Sequence, residues 1–115
     1  MVRQTRNISW IKAAQKDFQK FPAAVRVDME TALTFAAEGL KADSAKPMKN
    51  LGSGVFEITK RYDTDTYRSI YALKIDEDIW VVHAFKKKSK SGIKTPKQDV
   101  DMIKNRIKQL KELLK

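Results

Sequence analysis

The sequence predicts an α+β domain: two N-terminal helices packed on an antiparallel sheet of three to four strands, plus a C-terminal helix. Three observations predict it. Apolar residues recur every three to four positions between Trp10 and Ala36 and again between Val100 and Leu114, the period of amphipathic helices. Between those stretches, residues 55–86 are rich in aromatic and β-branched side chains broken by short turn-like links, as in a strand meander. The length of 115 residues and the 42% apolar content suit a single domain, residues 1–115, with a core that needs no disulfide or metal staple.

Each element has its own signal. Ser9 is placed to cap a first helix whose Trp10, Ile11, Ala14 and Phe18 fall roughly on one face. Phe21-Pro22 interrupts it, and Pro22 opens a second helix carrying Val25, Met29, Ala32, Leu33 and Ala36 until Gly39 closes it. Residues 2–8 are expected to add an edge strand. Lys41 to Gly54, with Lys46-Pro47-Met48-Lys49 and Gly52-Ser53-Gly54, reads as loop. Strands are expected over Val55–Arg61, Tyr67–Ile75 and Ile79–Lys86, joined by links at 62–66 and 76–78. In the third strand both alternating sets are apolar, which predicts cover on both faces. After a basic loop from Lys86 to Lys94, Thr95-Pro96-Lys97-Gln98 reads as a capping box. The last helix sets Val100, Ile103, Ile107, Leu110 and Leu114 against a separate face of Lys97, Lys104, Lys108, Lys111 and Lys115.

Inventory excludes much chemistry. With no Cys and one His, neither a zinc site of nitrogen and sulfur ligands nor thiol catalysis can be built, and no cofactor or metal is expected. Gly52-Ser53-Gly54 lacks the spacing of a phosphate loop, and no Gly-x-Ser-x-Gly elbow occurs. Glu57 with Asp63 or Asp65 would permit paired-carboxylate chemistry, or the two aspartates simply form a turn. The longest uncharged apolar stretch, Ile79 to Phe85, is far below the roughly 18 residues of a membrane span. A soluble, cytoplasmic protein is expected.

What remains is positive charge. The net charge is +10, and residues 86–115 carry eleven basic groups against three acidic ones. That is the footprint of a protein that meets phosphate or another acidic surface, or of a lysine-rich exposed helix. Arg61 and Arg68 flank the first hairpin, so two guanidiniums meet at one end of the sheet. They either grip a phosphodiester bidentately or are paired by Glu57, Asp63 or Asp65. His83, among apolar neighbours, is a hydrogen-bonded core histidine or an acid–base group. Alternation puts it on the face opposite Lys86 and Lys88.

The segments Lys46-Pro-Met-Lys49, Leu51-Gly-Ser-Gly-Val-Phe-Glu57, Tyr67-Arg-Ser-Ile-Tyr-Ala-Leu73, His83-Ala-Phe-Lys-Lys-Lys-Ser89 and Lys94-Thr-Pro-Lys97, in this order and spacing, resemble the phage-derived, HigB-like branch of the RelE/ParE toxin superfamily. The resemblance runs over nearly the whole chain and implies the compact RelE-like fold. It implies the toxin of a type II toxin–antitoxin pair, an endoribonuclease that cuts mRNA on the ribosome without a metal. A substrate 2′-hydroxyl attacks its own adjacent phosphate. Carried over by position, Arg68 matches the arginine that stabilises the scissile phosphate. Arg61, with Lys60 beside it, falls near the family's basic residues on the preceding strand. Lys87 or Lys88 stands where a basic residue follows the last strand. Lys46, Lys49, Lys86 and Lys90 would hold flanking RNA. Relatives often place Tyr or His after the last strand as a proton-transfer partner, where this sequence has Ser89, Ser91 and Thr95. The general acid is therefore left open between His83, a lysine, and charge stabilisation alone. The implied partners are a cognate antitoxin with acidic residues over the basic cleft, the ribosome and mRNA, and no membrane. A ParE-type gyrase inhibitor of the same fold and a non-enzymatic basic RNA-binding module are the alternatives.

Overall fold

In the computed structural model, which describes residues 5–88 and 95–114, the chain runs β1 (Ile8–Trp10), α1 (Lys12–Gln19), α2 (Ala23–Ala37), β2 (Ala45–Pro47), a one-turn 3-10 helix (Lys49–Leu51), β3 (Val55–Tyr62), β4 (Asp65–Ala72), β5 (Ile79–Lys88) and α3 (Lys97–Leu113). The α+β class is as expected, with a five-stranded sheet in place of three to four strands, in the order β1-β5-β4-β3-β2. All neighbours are antiparallel except β1 and β5, which are parallel. Among the described residues no helix is long and apolar enough to cross a membrane.

The two additional strands come from segments whose local signals point elsewhere. Residues 2–4 of the expected edge strand lie outside the described residues, and the strand that forms pairs Ile8, Ser9 and Trp10 with Ile79, Trp80 and Val81. Ser9 is thus no helix cap: its hydroxyl donates to Asp78 at 2.7 Å, and α1 starts after Ile11 with no side-chain cap. The parallel ladder and the packing of Ile8 and Trp10 against the core outweigh one capping bond. In the stretch expected to be loop, Ala45–Pro47 pairs with Phe56–Ile58 as the outer strand of the sheet. An edge tolerates Pro47, which has no N–H to give. The β3–β4 link is shorter than expected, because Asp63 takes a left-handed φ of 59° and lets Tyr62 pair directly with Asp65.

Helix ends follow backbone rules more closely. Gly39, with φ 83°, donates to Ala36 while Leu40 donates to Phe35, the double closure that a residue with positive φ permits. Pro22 and Pro96 stand at the N-caps of α2 and α3 without a capping side chain. The Thr95 hydroxyl that would have completed a capping box is turned to Glu57 instead.

Helices α1 and α2 cover one sheet face and α3 the other, which is why both alternating sets of β5 are apolar. On the first face Phe18, Phe21, Val25, Met29 and Leu33 meet Ile58, Tyr67, Tyr71 and Val81. Trp10, Phe18, Phe21 and Tyr67 form a chain of ring contacts, 4.8, 5.7 and 4.9 Å between successive centroids, that ties the α1–α2 corner to the sheet. On the second face Ile103, Ile107 and Leu110 meet Val55, Ile70, Ala72 and Val82. A register shift between Ile70 and Tyr71 lets both His83 and Val82 serve the α3 side.

Tyr71 is fully buried, and burial pushes its phenol from 10.0 up to about 12. Below pH 10 the phenol is neutral in both folded and unfolded chains. Between pH 10 and 12 the unfolded chain alone ionises it, so stability falls as pH rises through that window, by roughly 2–3 kcal/mol. Urea denaturation of wild type and Tyr71→Phe at pH 9 and pH 11.5 checks this: the variant should lose this part of the alkaline destabilisation.

Candidate active site

Antiparallel register aligns side chains of β5, β4 and β3 in rows across the sheet. On the face toward α3, one row is Lys87, Thr66 and Arg61, and the next is Phe85, Arg68 and Thr59. A third is His83, Ile70 and Glu57, extended to Lys46 on β2. Five of the expected site residues, Arg61, Arg68, Lys87, His83 and Lys46, therefore share a face, and Arg61 and Arg68 are diagonal neighbours. The same alternation sends Lys60 and Lys86 to the other face. There Lys60 pairs with Asp28 of α2 at 2.6 Å and Lys86 with Asp65 at 3.6 Å. Lys49 is exposed in the 3-10 turn. Lys88 ends β5 opposite Asp65, and its side chain, like Lys90, Ser89 and Ser91, lies outside the described residues.

Arg68 is only 6% exposed, and a guanidinium that deep requires a counter-charge. Glu57 supplies it: Oε1 accepts from the guanidinium at 2.6 Å, and Oε2 accepts from the Thr95 hydroxyl at 2.6 Å. Glu57–Arg68, one of the pairings open to the arginines, is formed as a part-buried bond. Arg61, by contrast, is exposed on the row that α3 leaves uncovered.

His83 is 4% exposed, with both ring nitrogens engaged. Nε2 lies 2.7 Å from Asp99 and Nδ1 lies 3.0 Å from the guanidinium of Arg106. A guanidinium only donates, so Nδ1 accepts and the ring proton sits on Nε2, donated to the Asp99 carboxylate. Arg106 also donates to the Val82 carbonyl at 3.0 Å. The imidazole is thus a bolt between β5 and α3, with no nitrogen turned to an outside group. Thr95, Asp99 and Arg106 were not singled out as site residues in the sequence. A trace exists for two of them: Asp99 and Arg106 are seven apart, which puts two polar groups on one helix face beside the apolar stripe.

β1 pairs with β5 only as far as Val81, and beyond it the outer edge of β5 has no neighbouring strand among the described residues. A cavity of about 520 Å³ wraps that edge between the end of α1 and the start of α3, lined by Lys20, Phe21, Tyr67, Phe85, Lys86 and Arg106 among others. Its charged lining sets Lys20, Lys86 and Arg106 beside Asp17 and Asp99. Arg61 and the half-buried Lys87 thus present cations in the row beside the buried Arg68, which is bonded to Glu57.

The family described as phage-derived, Gp49-like protein matches residues 16–108. Among solved structures, a mutant of the E. coli toxin RelE in the free state is 16% identical over 90% of this chain and 98% of that one, with a TM-score of 0.64. The isolated E. coli RelE toxin in another crystal is 16% identical over 87% and 97%, with a TM-score of 0.55. At such identity the likeness is one of fold. No curated protein matches the chain significantly.

The His83 bolt makes two expectations. Nitrogen-15 spectra at neutral pH should show the Nε2–H tautomer, and a Nδ1–H or doubly protonated ring would contradict the hydrogen-bond directions given above. Arg106→Met, which keeps the aliphatic stem and removes the donor, should cost about 1–2 kcal/mol in urea denaturation.

Proposed function

From the premise that this chain belongs to the phage-derived Gp49-like family and has the RelE fold, we propose that it is the toxin of a type II toxin–antitoxin pair. We read it as a metal-independent, ribosome-dependent endoribonuclease that cleaves mRNA. One observation carries the reading: Arg61, Arg68 and Lys87 converge in two adjacent rows on one sheet face, with the central arginine held by a carboxylate.

The chemistry follows from that pairing. A ribose 2′-hydroxyl attacks its adjacent phosphate, a P–O bond forms, and the bond to the 5′-oxygen breaks, leaving a cyclic phosphate and a 5′-hydroxyl. Negative charge gathers on the phosphoryl oxygens, and Arg68 is the donor fixed to meet it. A phosphate oxygen on Arg68 takes the place that Glu57 Oε1 now occupies. The displaced carboxylate, still held through Oε2 by Thr95, is then positioned to accept the 2′-hydroxyl proton. Lys87 and Arg61, in the uncovered row, bind the flanking phosphates and offset charge on the leaving 5′-oxygen, which takes its proton from water to become the 5′-hydroxyl. Lys46 and Lys49 extend the contact along the strand, and Lys60, Lys86, Lys88 and Lys90 contribute to the field rather than to the scissile group. His83 is a positioning residue that holds α3, and with it Thr95, over Glu57. Alignment of mRNA by the ribosome supplies the orientation that a small open site does not. The toxin acts in the cytoplasm, where its targets are, and an antitoxin covers the cleft.

Arg68→Ala should lower cleavage on the order of 10² to 10³, as for loss of one transition-state contact. Glu57→Gln, which keeps an acceptor for Arg68 and Thr95 but cannot take a proton, should lower turnover by about 10² to 10⁴ with RNA binding retained. Inducible expression in bacteria, with growth followed and mRNA 5′ ends mapped in the same cultures, reads both. A folded Arg68→Ala variant that stays fully toxic would place the site elsewhere. Growth arrest without new mRNA ends would favour the gyrase-directed alternative.

A further inference from the structure

The cavity at the outer edge of β5 is bordered by three side chains whose chemistry the fold leaves unused. Asp17 is half-buried, and its carboxylate has no hydrogen-bond or ion-pair partner among the described residues. It stands in the last turn of α1, where the helix dipole disfavours negative charge, so it does nothing for the helix. Met102 of α3 is an apolar side chain left 44% exposed on the same cavity. Phe85 stacks on His83, 5.3 Å between ring centroids, yet remains half-buried and lines the cavity as well.

A slot with an aromatic ring, a polarisable thioether and an acceptor suits a flat ligand that donates hydrogen bonds. A nucleobase is one: its π-face stacks on the ring and packs on the sulfur, and its edge N–H groups meet the carboxylate. The volume of about 520 Å³ lies within the range of small-ligand sites, roughly 300–1,000 Å³. Position favours the same occupant. Phe85 is directly opposite Arg68 across β4 and β5, so a phosphate on Arg68 sets a neighbouring base toward the open edge. Lys20, exposed in the same lining, is placed for a further phosphate. We propose that this cavity is a base-binding subsite: it takes the base of a nucleotide flanking the scissile phosphate, stacks it on Phe85 beside Met102, and selects through Asp17 against uracil. The flanking position rests on the nuclease reading. The selection follows from a carboxylate that only accepts: adenine, cytosine and guanine present an exocyclic amino group, whereas uracil presents one ring N–H between two carbonyl oxygens that the carboxylate repels.

The test titrates the full chain, its methionine methyls labelled with carbon-13, with 2′-O-methyl tetracytidylate and tetrauridylate, which cannot be cleaved. Tetracytidylate should shift the Met102 methyl signal and bind about tenfold more tightly than tetrauridylate. Asp17→Asn keeps the shape and offers both a donor and an acceptor, so the ratio of the two affinities should fall to about one. Phe85→Leu should weaken both oligonucleotides about tenfold, as for loss of one stacking plane. On translating ribosomes, cut sites of the wild type should avoid uridine at one flanking position, and Asp17→Asn should admit it. An unmoved Met102 signal, equal affinity for the two oligonucleotides, or an unchanged ratio in Asp17→Asn overturns the proposal. Selective binding at Met102 with no mRNA cleavage by the wild type would overturn the nuclease reading and keep the base subsite, and cleavage without base selectivity does the reverse.

Discussion

A guanidinium buried at the junction of three strands sets the terms for this end of the molecule. Leaving Arg68 there without a counter-charge would cost several kcal/mol, so its neighbours are constrained in turn. Glu57 is two residues from the position directly opposite, within diagonal reach of a long side chain. Its own second oxygen then needs a donor in a half-buried place, and Thr95 provides it from the start of α3. A local helix cap is given up for a bond that ties helix and sheet together.

The same logic links His83 to the position of α3. Asp99 on one ring nitrogen and Arg106 on the other hold the helix across β5, two turns apart, and the apolar contact of Ile103 lies between them. Thr95 stands one turn before Asp99. The β5–α3 clamp and the Glu57–Arg68 pair therefore act as a unit: what shifts the helix also loosens the carboxylate that neutralises the arginine.

Much of this was legible in the residue pattern, for physical reasons that can be named. Periodicity found the three helices because each buries one stripe, and the doubly apolar β5 announced that helices lie on both faces. Ser9 and Thr95 misled as caps because both hydroxyls serve partners distant in sequence, Asp78 and Glu57, which no local rule can see. β2 was missed because three residues containing Pro47 carry no period of their own and exist only against β3. Within the site, alternation assigned His83 correctly to the face away from Lys86. The same alternation sends Lys60 to the face opposite Arg61, where it pairs with Asp28. The roles of Asp99 and Arg106 depend on the crossing of α3 over β5, a tertiary fact.

The uncovered margin of β5 has a further consequence. Beyond Val81 the strand offers main-chain N–H and C=O groups on a flank that no other described strand occupies, the geometry that invites another chain to add on and begin a filament. Lys86, Lys87 and Lys88 stand consecutively along this stretch. Side chains alternate between the faces, so Lys86 and Lys87 place positive charge on both sides of the flank, and two such margins brought together would repel there. These lysines are thus also a guard on this open flank. A protein that leaves this edge open keeps it from sticking to itself with the side chains that line it.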